Sequence, residues 1–404
     1  MQACGLVVEY NPFHNGHHYH VQEAKRISGA DCMIAVMSGS FLQRGEPAII
    51  DKYYRARAAL AGGVDLILEL PYPYAVQSSE WFAKGAVQTL YEAGVTSICF
   101  GSEDGVAASF ISAYEAREQH AAQYQAIFKS ELAKGLSFPM ANKAAYEAIG
   151  LDQGAIDLTK PNNILGYSYV KEILDNKLNI KPMTIKRKNN DYHDEQLNGN
   201  IASATSIRKA LFTENQLDPS IKEAITEQTA VQLQSYRQTT GIWHDWEAYF
   251  PILHYKVMVT EPEELATFHG VDEGLEYRIK QTAAKAHSMH EWLSLVKTKR
   301  YTWTRLQRAF VHILTHTKKT DMEQLKAATG VSYVRVLGMT ETGRSYLNKV
   351  KKQIRVPLIT RIYQGEHLAL KMEANATQSY YSVLTPTVRE TLFHQEQAGP
   401  LRVR

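Results

Sequence analysis

Four short apolar runs, each followed by a segment with helical or turn character, fill the first hundred residues and leave this chain few folds. Ala3 to Glu9, Cys32 to Met37, Val64 to Leu70 and Thr96 to Phe100 are nearly unbroken in hydrophobicity. Such runs belong to strands covered on both faces, as in parallel sheets, rather than to half-exposed strands that alternate polar and apolar residues. Between them, residues 17–27, 51–61 and 78–93 read as helices. Val21, Ala24 and Ile27 share one face of the first, Gly29 stands where its C-cap belongs, and Gly62-Gly63 and Gly94 close the other two. Strand and helix in alternation, joined by right-handed crossovers, give an α/β fold with a Rossmann-like doubly wound parallel sheet. Pro182 to Lys186 is a candidate fifth strand, and residues 107–150 read as a helical connection. Beyond about Phe212 the alternation stops. The expected division is an α/β domain over residues 1–212 and a mainly α-helical, basic domain over 213–404, with a short strand such as Ile354 to Ile359 in the second.

The first apolar run feeds a tight turn, Val7-Val8-Glu9-Tyr10-Asn11-Pro12-Phe13-His14-Asn15-Gly16-His17-His18-Tyr19-His20. Strand, turn and helix put Gly16 at the mouth of a helix, where a residue without Cβ lets a ligand approach the backbone. The free N–H groups and positive dipole end there attract phosphate. His14 and His17 flank the glycine and are suited to donate to phosphate oxygens and to answer charge that builds at phosphorus. Four histidines in seven residues also raise a metal site, since His17 and His20 are one turn apart. No Asp, Glu or Cys close by completes a ligand set, so phosphate ranks above metal. His18 reads as solvated, and His20 as facing either the core or the loop.

A second helix start follows about 190 residues later: Ser203-Ala204-Thr205-Ser206-Ile207-Arg208. Ser203 and Thr205 are natural N-caps, and a plain capped helix explains them. With Arg208 a turn inside, the same hydroxyls and N–H groups form a grip for a leaving pyrophosphate. In a doubly wound sheet of order 3-2-1-4-5 the ligand lies beyond the carboxyl ends of strands one and four. Gly101 follows strand four and is either a turn glycine or the place where adenine or ribose lies on backbone. Asn162 begins another helix and either caps it or reads the nucleotide. Arg187 ends the fifth strand on the same face, within reach of a phosphate. The loop from Ser38 to Pro47 opens there too, serving a second substrate or nothing.

Together HxGH and the S-x-T-x-I-R stretch resemble the HIGH-type nucleotidyltransferase superfamily, whose members transfer nucleotidyl groups without a covalent enzyme intermediate. Over almost the whole chain, GLVVEYNPFHNGHHYH, MSGSFLQRGEPAIIDKYYRA, KPNNILGYSY, SATSIR and KRYTWTRLQRAF resemble the bacterial tRNA(Met) cytidine acetate ligase family. The resemblance implies that Val7 through His20, Gly101, Asn162 and Arg187 contact ATP. It further implies that acetate is activated as acetyl-adenylate, and that the acetyl group passes to the wobble cytidine of elongator tRNA(Met), giving N4-acetylcytidine. His14, His17 and Arg208 are the expected catalytic groups. Magnesium is expected only as a counterion of ATP, with no protein ligand assigned to it.

Charge distribution agrees with an RNA partner. Glu291 to Gly365 holds 15 Lys and Arg against 4 Asp and Glu in a chain whose net charge is only +3, so the remainder is acidic. Lys297, Lys299, Arg300, Arg305 and Arg308 surround Tyr301 and Trp303, a pattern that suits phosphates and stacked bases if the aromatics are exposed. Leu306, Phe310, Ile313 and Leu314 form the buried stripe of the following helix, with Arg305, Arg308 and His312 on another face. No run approaches the roughly 18 apolar residues of a membrane span. The opening residues lack the basic start of a secretory signal, and Cys4, Cys32 and Cys99 form no CxxC pair. The expected address is the cytosol, with no obligatory protein partner. A nucleotidyltransferase acting on a small cofactor precursor, or a non-catalytic ATP-binding RNA adaptor, accounts for fewer of these features.

Overall fold

The computed structural model describes residues 1–151, 156–187, 202–214, 216–328, 330–362 and 367–403, apart from the side chains at 138 and 139. Its centre is one sheet of eight strands: β1 (Ala3–Val8), β2 (Cys32–Ser38), β3 (Leu66–Leu70), β4 (Ser97–Ser102), β5 (Lys181–Lys186), β6 (Val334–Met339), β7 (Leu358–Ile359) and β8 (Leu401–Arg402). The spatial order β5-β4-β1-β2-β3-β6-β7, with β8 beside β6, contains the expected 3-2-1-4-5 core, all parallel. The order reverses between β1 and β4, so a crevice opens at their carboxyl ends.

Helix α1 (Asn15–Ser28) buries Val21 and Ala24 and ends at Gly29, whose φ of 62° closes the left-handed cap with an N–H bond to the Lys25 carbonyl. Helix α2 (Lys52–Ala61) starts at Asp51, which accepts from the Tyr53 N–H at 2.7 Å. Cys4, Cys32 and Cys99 are free and buried. Among the described residues, no helix is long and apolar enough to cross a membrane.

The chain's second half does not stand apart from the sheet. Val334–Met339 pairs antiparallel with β3, a strand that the sequence pattern misses. Only Leu358–Ile359 of the anticipated 354–359 run pairs, beside β6. The helices after Ala202 share a core with Phe41, Ile49, Ile50, Tyr72 and Val76, the residues that follow β2 and β3.

At this seam lies a buried cluster of charges. Lys52 of α2 meets Glu69 of β3 at 2.7 Å, Glu396 at 2.9 Å and Glu373 at 3.6 Å. Arg335 of β6 donates to Glu69, Glu396 and the Tyr53 hydroxyl. Three carboxylates face two cations, and burial together with the charge of Glu69 holds the Glu373 carboxyl well above the usual carboxylate range. Glu396, beside Arg335 and Lys52, is held low. A carboxyl with a raised folded-state pKa makes the folded chain bind more protons than the unfolded one. Its contribution is therefore full below the ordinary carboxylate range, and declines as pH rises from that range toward the folded value. Glu373→Gln should flatten this decline, so urea unfolding from pH 5 to 8 should lose less stability in the variant than in the wild type; parallel curves would show that Glu373 is ionised throughout.

Candidate active site

The turn after β1 is fixed before any ligand arrives. Tyr10 takes a φ of 48° and is fully buried, its ring edge-on to Phe13 at 4.8 Å and to His17 at 5.0 Å. Phe13 packs so tightly on Gly62 that a Cβ there would lie 2.4 Å from the ring. The Asn11 side-chain oxygen accepts from the Ile49 N–H at 2.8 Å, and Pro12 is buried. Val7 and Val8 pair with Val36 and Met37 of β2. The side chains of Tyr10, Asn11, Pro12 and Phe13 thus face inward and shape the loop. One buried side chain, Arg55 of α2, clamps the strand ends by donating to the carbonyls of Glu9 (2.6 Å), Ser38 (3.0 Å), Gly39 and Ile50 (3.1 Å).

His14 is the N-cap of α1, so Gly16 sits in the first turn rather than before it. His14 Nδ1 accepts from the Gly16 N–H at 3.0 Å, and His17 Nδ1 accepts from the His14 N–H at 3.3 Å. A backbone N–H only donates, so both Nδ1 atoms are unprotonated and each ring carries its proton on Nε2. The rings stack at 3.7 Å. Protonating either imidazole would break its cap. Burial and the charges of Arg187 and Arg208 push His14 down to about 3. Burial, then His14, His20 and Arg187, hold His17 well below the ordinary histidine range. The pair are therefore neutral donors, not charge carriers, before an anion arrives.

Around them stand the other predicted groups. Asn15 donates to the Glu223 carbonyl at 2.8 Å. His18 bonds the Gly62 carbonyl at 3.1 Å instead of standing in solvent. His20 has a buried Nε2 without a hydrogen bond among the described residues, and burial with Arg187 pushes it down to about 4. Tyr19 and Arg187 line an open groove of about 580 Å³ between α1 and β5. Glu9 accepts from the Gln43 N–H at 2.8 Å, and burial raises its carboxyl.

Ala204–Glu214 is helical, and its start meets the first loop. Arg208 donates to the Asn11 carbonyl at 2.9 Å and lies 3.6 Å from Glu46. Ser203 accepts the Ser206 N–H at 3.0 Å, so its hydroxyl serves as a cap. Thr205 accepts from Arg208 at 3.5 Å. The residues before this helix, 188–201, lie outside the described residues, as does the Lys188 neighbour of Arg187.

Asn162 does not cap its own helix, Pro161–Asp175, whose N-cap position is Lys160. That task falls to Glu103, the residue after β4. Its carboxylate accepts from the N–H of Asn162 at 3.3 Å, the N–H of Asn163 at 2.8 Å and the Asn162 amide at 2.7 Å. The Asn162 oxygen is thereby turned toward Arg187, which donates at 3.4 Å. Gly101 is no turn glycine. It lies inside β4, opposite Ile185. Histidines, arginines, an oriented amide and a helix N-terminus therefore converge at the carboxyl ends of β1, β4 and β5, an arrangement whose chemistry suits an anion. Among the described residues no three His, Cys, Asp or Glu stand together as metal ligands.

The family described as HIGH Nucleotidyl Transferase matches residues 1–396. The chain belongs to that family. Among its relatives, a protein of Oceanobacillus iheyensis named tRNA(Met) cytidine acetate ligase is 52% identical, covering 99% of this chain and 100% of the relative. A Bacillus subtilis protein of the same name is 44% identical over 100% of this chain and 97% of its own length. Two crystal structures of Thermotoga maritima TmcAL, 32% identical and matched along 100% of both chains, superpose with TM-scores of 0.92 for the apo form and 0.89 for the form bound with alpha-thio ATP.

Sequence reasoning missed Arg55 and Glu103 because neither carries a motif. Arg55 looks like one surface charge of an Ala- and Arg-rich helix. The signal for Glu103 was its place one loop from Asn162 across the predicted switch point. At Gly101 an added Cβ would meet only the Arg187 Cγ at 3.5 Å, an ordinary contact, so the fold itself does not demand glycine. Gly101→Val should keep the wild-type melting temperature within a few degrees while weakening ATP binding about tenfold or more, measured by calorimetric titration; unchanged affinity would take Gly101 out of the site.

Proposed function

We propose that this HIGH nucleotidyl transferase is an ATP-dependent acetate ligase that acetylates the wobble cytidine of elongator tRNA(Met). One observation carries the proposal: two neutral histidines present Nε2–H donors beside Arg187 and Arg208 at the start of α1, in a chain whose full-length relatives bear the name of that ligase.

An acetate oxygen attacks the α-phosphorus of ATP, the bond to the β-phosphate oxygen breaks, and pyrophosphate leaves. Both reactants are anions, so the site must be cationic or rich in donors. In this reading His14 and His17 donate from Nε2 to the phosphoryl oxygens whose charge grows in the transition state. Because their Nδ1 atoms are held by the backbone, the donors need no reorientation. The neutral ground state leaves room for proton affinity to rise when the triphosphate enters, since an anion opposes the field of Arg187 and Arg208. Arg208, with the helix start at Ser203 and Thr205, steadies the departing pyrophosphate. Gly101, Asn162 and Arg187 bind the nucleotide, and the Val7–His20 segment surrounds it, largely through backbone. The cytidine N4 then attacks the acetyl carbonyl, the bond to AMP breaks, and the amine loses a proton. Magnesium would accompany ATP as its counterion and would offset part of the triphosphate charge, and no residue of the chain is assigned to hold it. The exposed basic residues between Glu291 and Gly365, Lys297 and Lys299 among them, face the RNA, and the protein works in the cytosol where that RNA is found.

ATP–pyrophosphate exchange tests the first half-reaction. Label should enter ATP only when acetate is present; acetate-independent exchange, or none with tRNA(Met) added, would overturn the proposal. His14→Ala should slow acetate-dependent exchange about 100- to 1000-fold, the usual loss for one donor aimed at developing charge. Retained tRNA binding in the same variant would separate this effect from unfolding.

A further inference from the structure

The helix Trp303–Leu314 carries an arginine that has no partner among the described residues. Arg308 is half-buried as a residue, yet desolvation is the largest influence on its guanidinium, followed by the charges of Arg305 and Arg44. Among the described residues it makes no ion pair and no hydrogen bond. All three influences act against its charge and lower it to about 10, so the group remains a cation at neutral pH. Burial depresses His269 and His312, whose rings stand 4.8 Å apart, and the charge of Arg308 adds to the effect on both. The neighbouring Arg305 has little compensation itself: Glu273 lies 3.9 Å from it and is shared with Arg300 at 3.0 Å.

Gly45 places Arg44 against this helix. Its φ is +78°, and a Cβ would lie 2.4 Å from the Arg308 nitrogen and 2.5 Å from the Gln307 carbonyl carbon, so only glycine lets the loop lie on the helix backbone. Trp246 fastens the contact by donating to the Gly45 carbonyl at 2.9 Å. The same loop touches the nucleotide side through Gln43 to Glu9 and Glu46 to Arg208. A desolvated cation without a partner costs stability, and proteins keep one where a ligand supplies the missing charge.

We propose that Arg308, with Arg44 and Arg305, binds one phosphodiester of the substrate RNA at the rim of the adenylation site, where the β2 loop meets the Trp303–Leu314 helix. This rests on the acetate-ligase reading for the identity of the RNA. The site places a backbone phosphate against the loop that also borders Arg208, which fixes the strand relative to the acetyl-adenylate.

The test uses the full chain as wild type, Arg308→Gln and Arg308→Lys, with an anticodon stem-loop of tRNA(Met) as probe. Without ligand, Arg308→Gln should melt at or above the wild-type temperature, because it removes an uncompensated charge; a lower melting temperature would mean that Arg308 is structural and overturn the proposal. Fluorescence anisotropy across a potassium chloride series should show stem-loop affinity reduced about tenfold, and a log–log salt slope shallower by about 0.7–0.9, the share of one phosphate. Arg308→Lys should keep the slope. Unchanged affinity and slope in Arg308→Gln would refute the site, and a raised KM for ATP in acetate-dependent exchange without RNA would assign the anion to ATP instead. Loss of acetate dependence in the wild type would sink the ligase reading alone, since the binding series still decides whether Arg308 holds a phosphate.

Discussion

The ion cluster at the β3–β6 seam joins the two halves of the chain, and the active-site geometry hangs from it. Glu69 accepts from Lys52 and Arg335, and the Gly39 backbone lies so near that an added Cβ would be 2.6 Å from the Glu69 carboxylate. Gly39 and Ser38 in turn give their carbonyls to Arg55, which also holds Glu9 at the end of β1. Charged hydrogen bonds, joined by the close approach of Gly39 to Glu69, thus link the helices Leu368–Tyr381 and Pro386–Ala398 to the residue five positions before His14. Removing one member of such a buried pair typically costs about 3–5 kcal/mol, because the partner is left charged in a dry interior. The stability of the seam and the register of the phosphate loop are therefore properties of one network.

The histidine pair shows how a local backbone rule can set chemistry. Helix starts leave four N–H groups unsatisfied, and side chains that accept there are favoured. In α1 those acceptors are imidazoles. Accepting fixes the tautomer and leaves the proton on Nε2, and burial beside two arginines keeps the rings neutral. A serine cap would satisfy the same N–H groups but would present no second donor on the far side. The HxGH spacing makes structural sense because positions N-cap and N3 are those whose side chains reach back to the first turn.

What was legible in the sequence was what periodicity and punctuation encode. The four apolar runs placed β1 to β4 within two residues of each end, the glycines closed the helices between them, and strand order 3-2-1-4-5 located the crevice. Less legible were features set by contacts distant in the chain. β6 reads as VRVLGM, with an arginine that argues against a buried strand until Glu69 and Glu396 are seen beside it. The basic segment misled in two details. Tyr301 is buried under Arg305 rather than offered to a base, and His312, on the helix face it shares with Arg308, is buried against the Tyr72 hydroxyl at 3.0 Å. A one-dimensional count of charges cannot tell which cations point outward. Trp303 is half-buried, packed on the helical core.

The loop after β2 carries the two activities toward each other. Its Phe41 and Leu42 are buried, and the Leu42 N–H meets the Glu46 carbonyl at 2.9 Å, which makes the segment a compact hairpin rather than a loose connection. Glu46 looks toward Arg208, Gln43 toward Glu9, and the Gly45 backbone toward Gln307 and Arg308. An acetyl-adenylate is exposed to hydrolysis until its acceptor arrives, so a ligase gains if the acceptor is held by a rigid element that also borders the adenylate. Sharing one tight hairpin between Arg208 at the nucleotide side and Arg308 of the basic helix meets that requirement without a moving part, because a displacement of Gly45 from the helix would also shift Gln43 and Glu46.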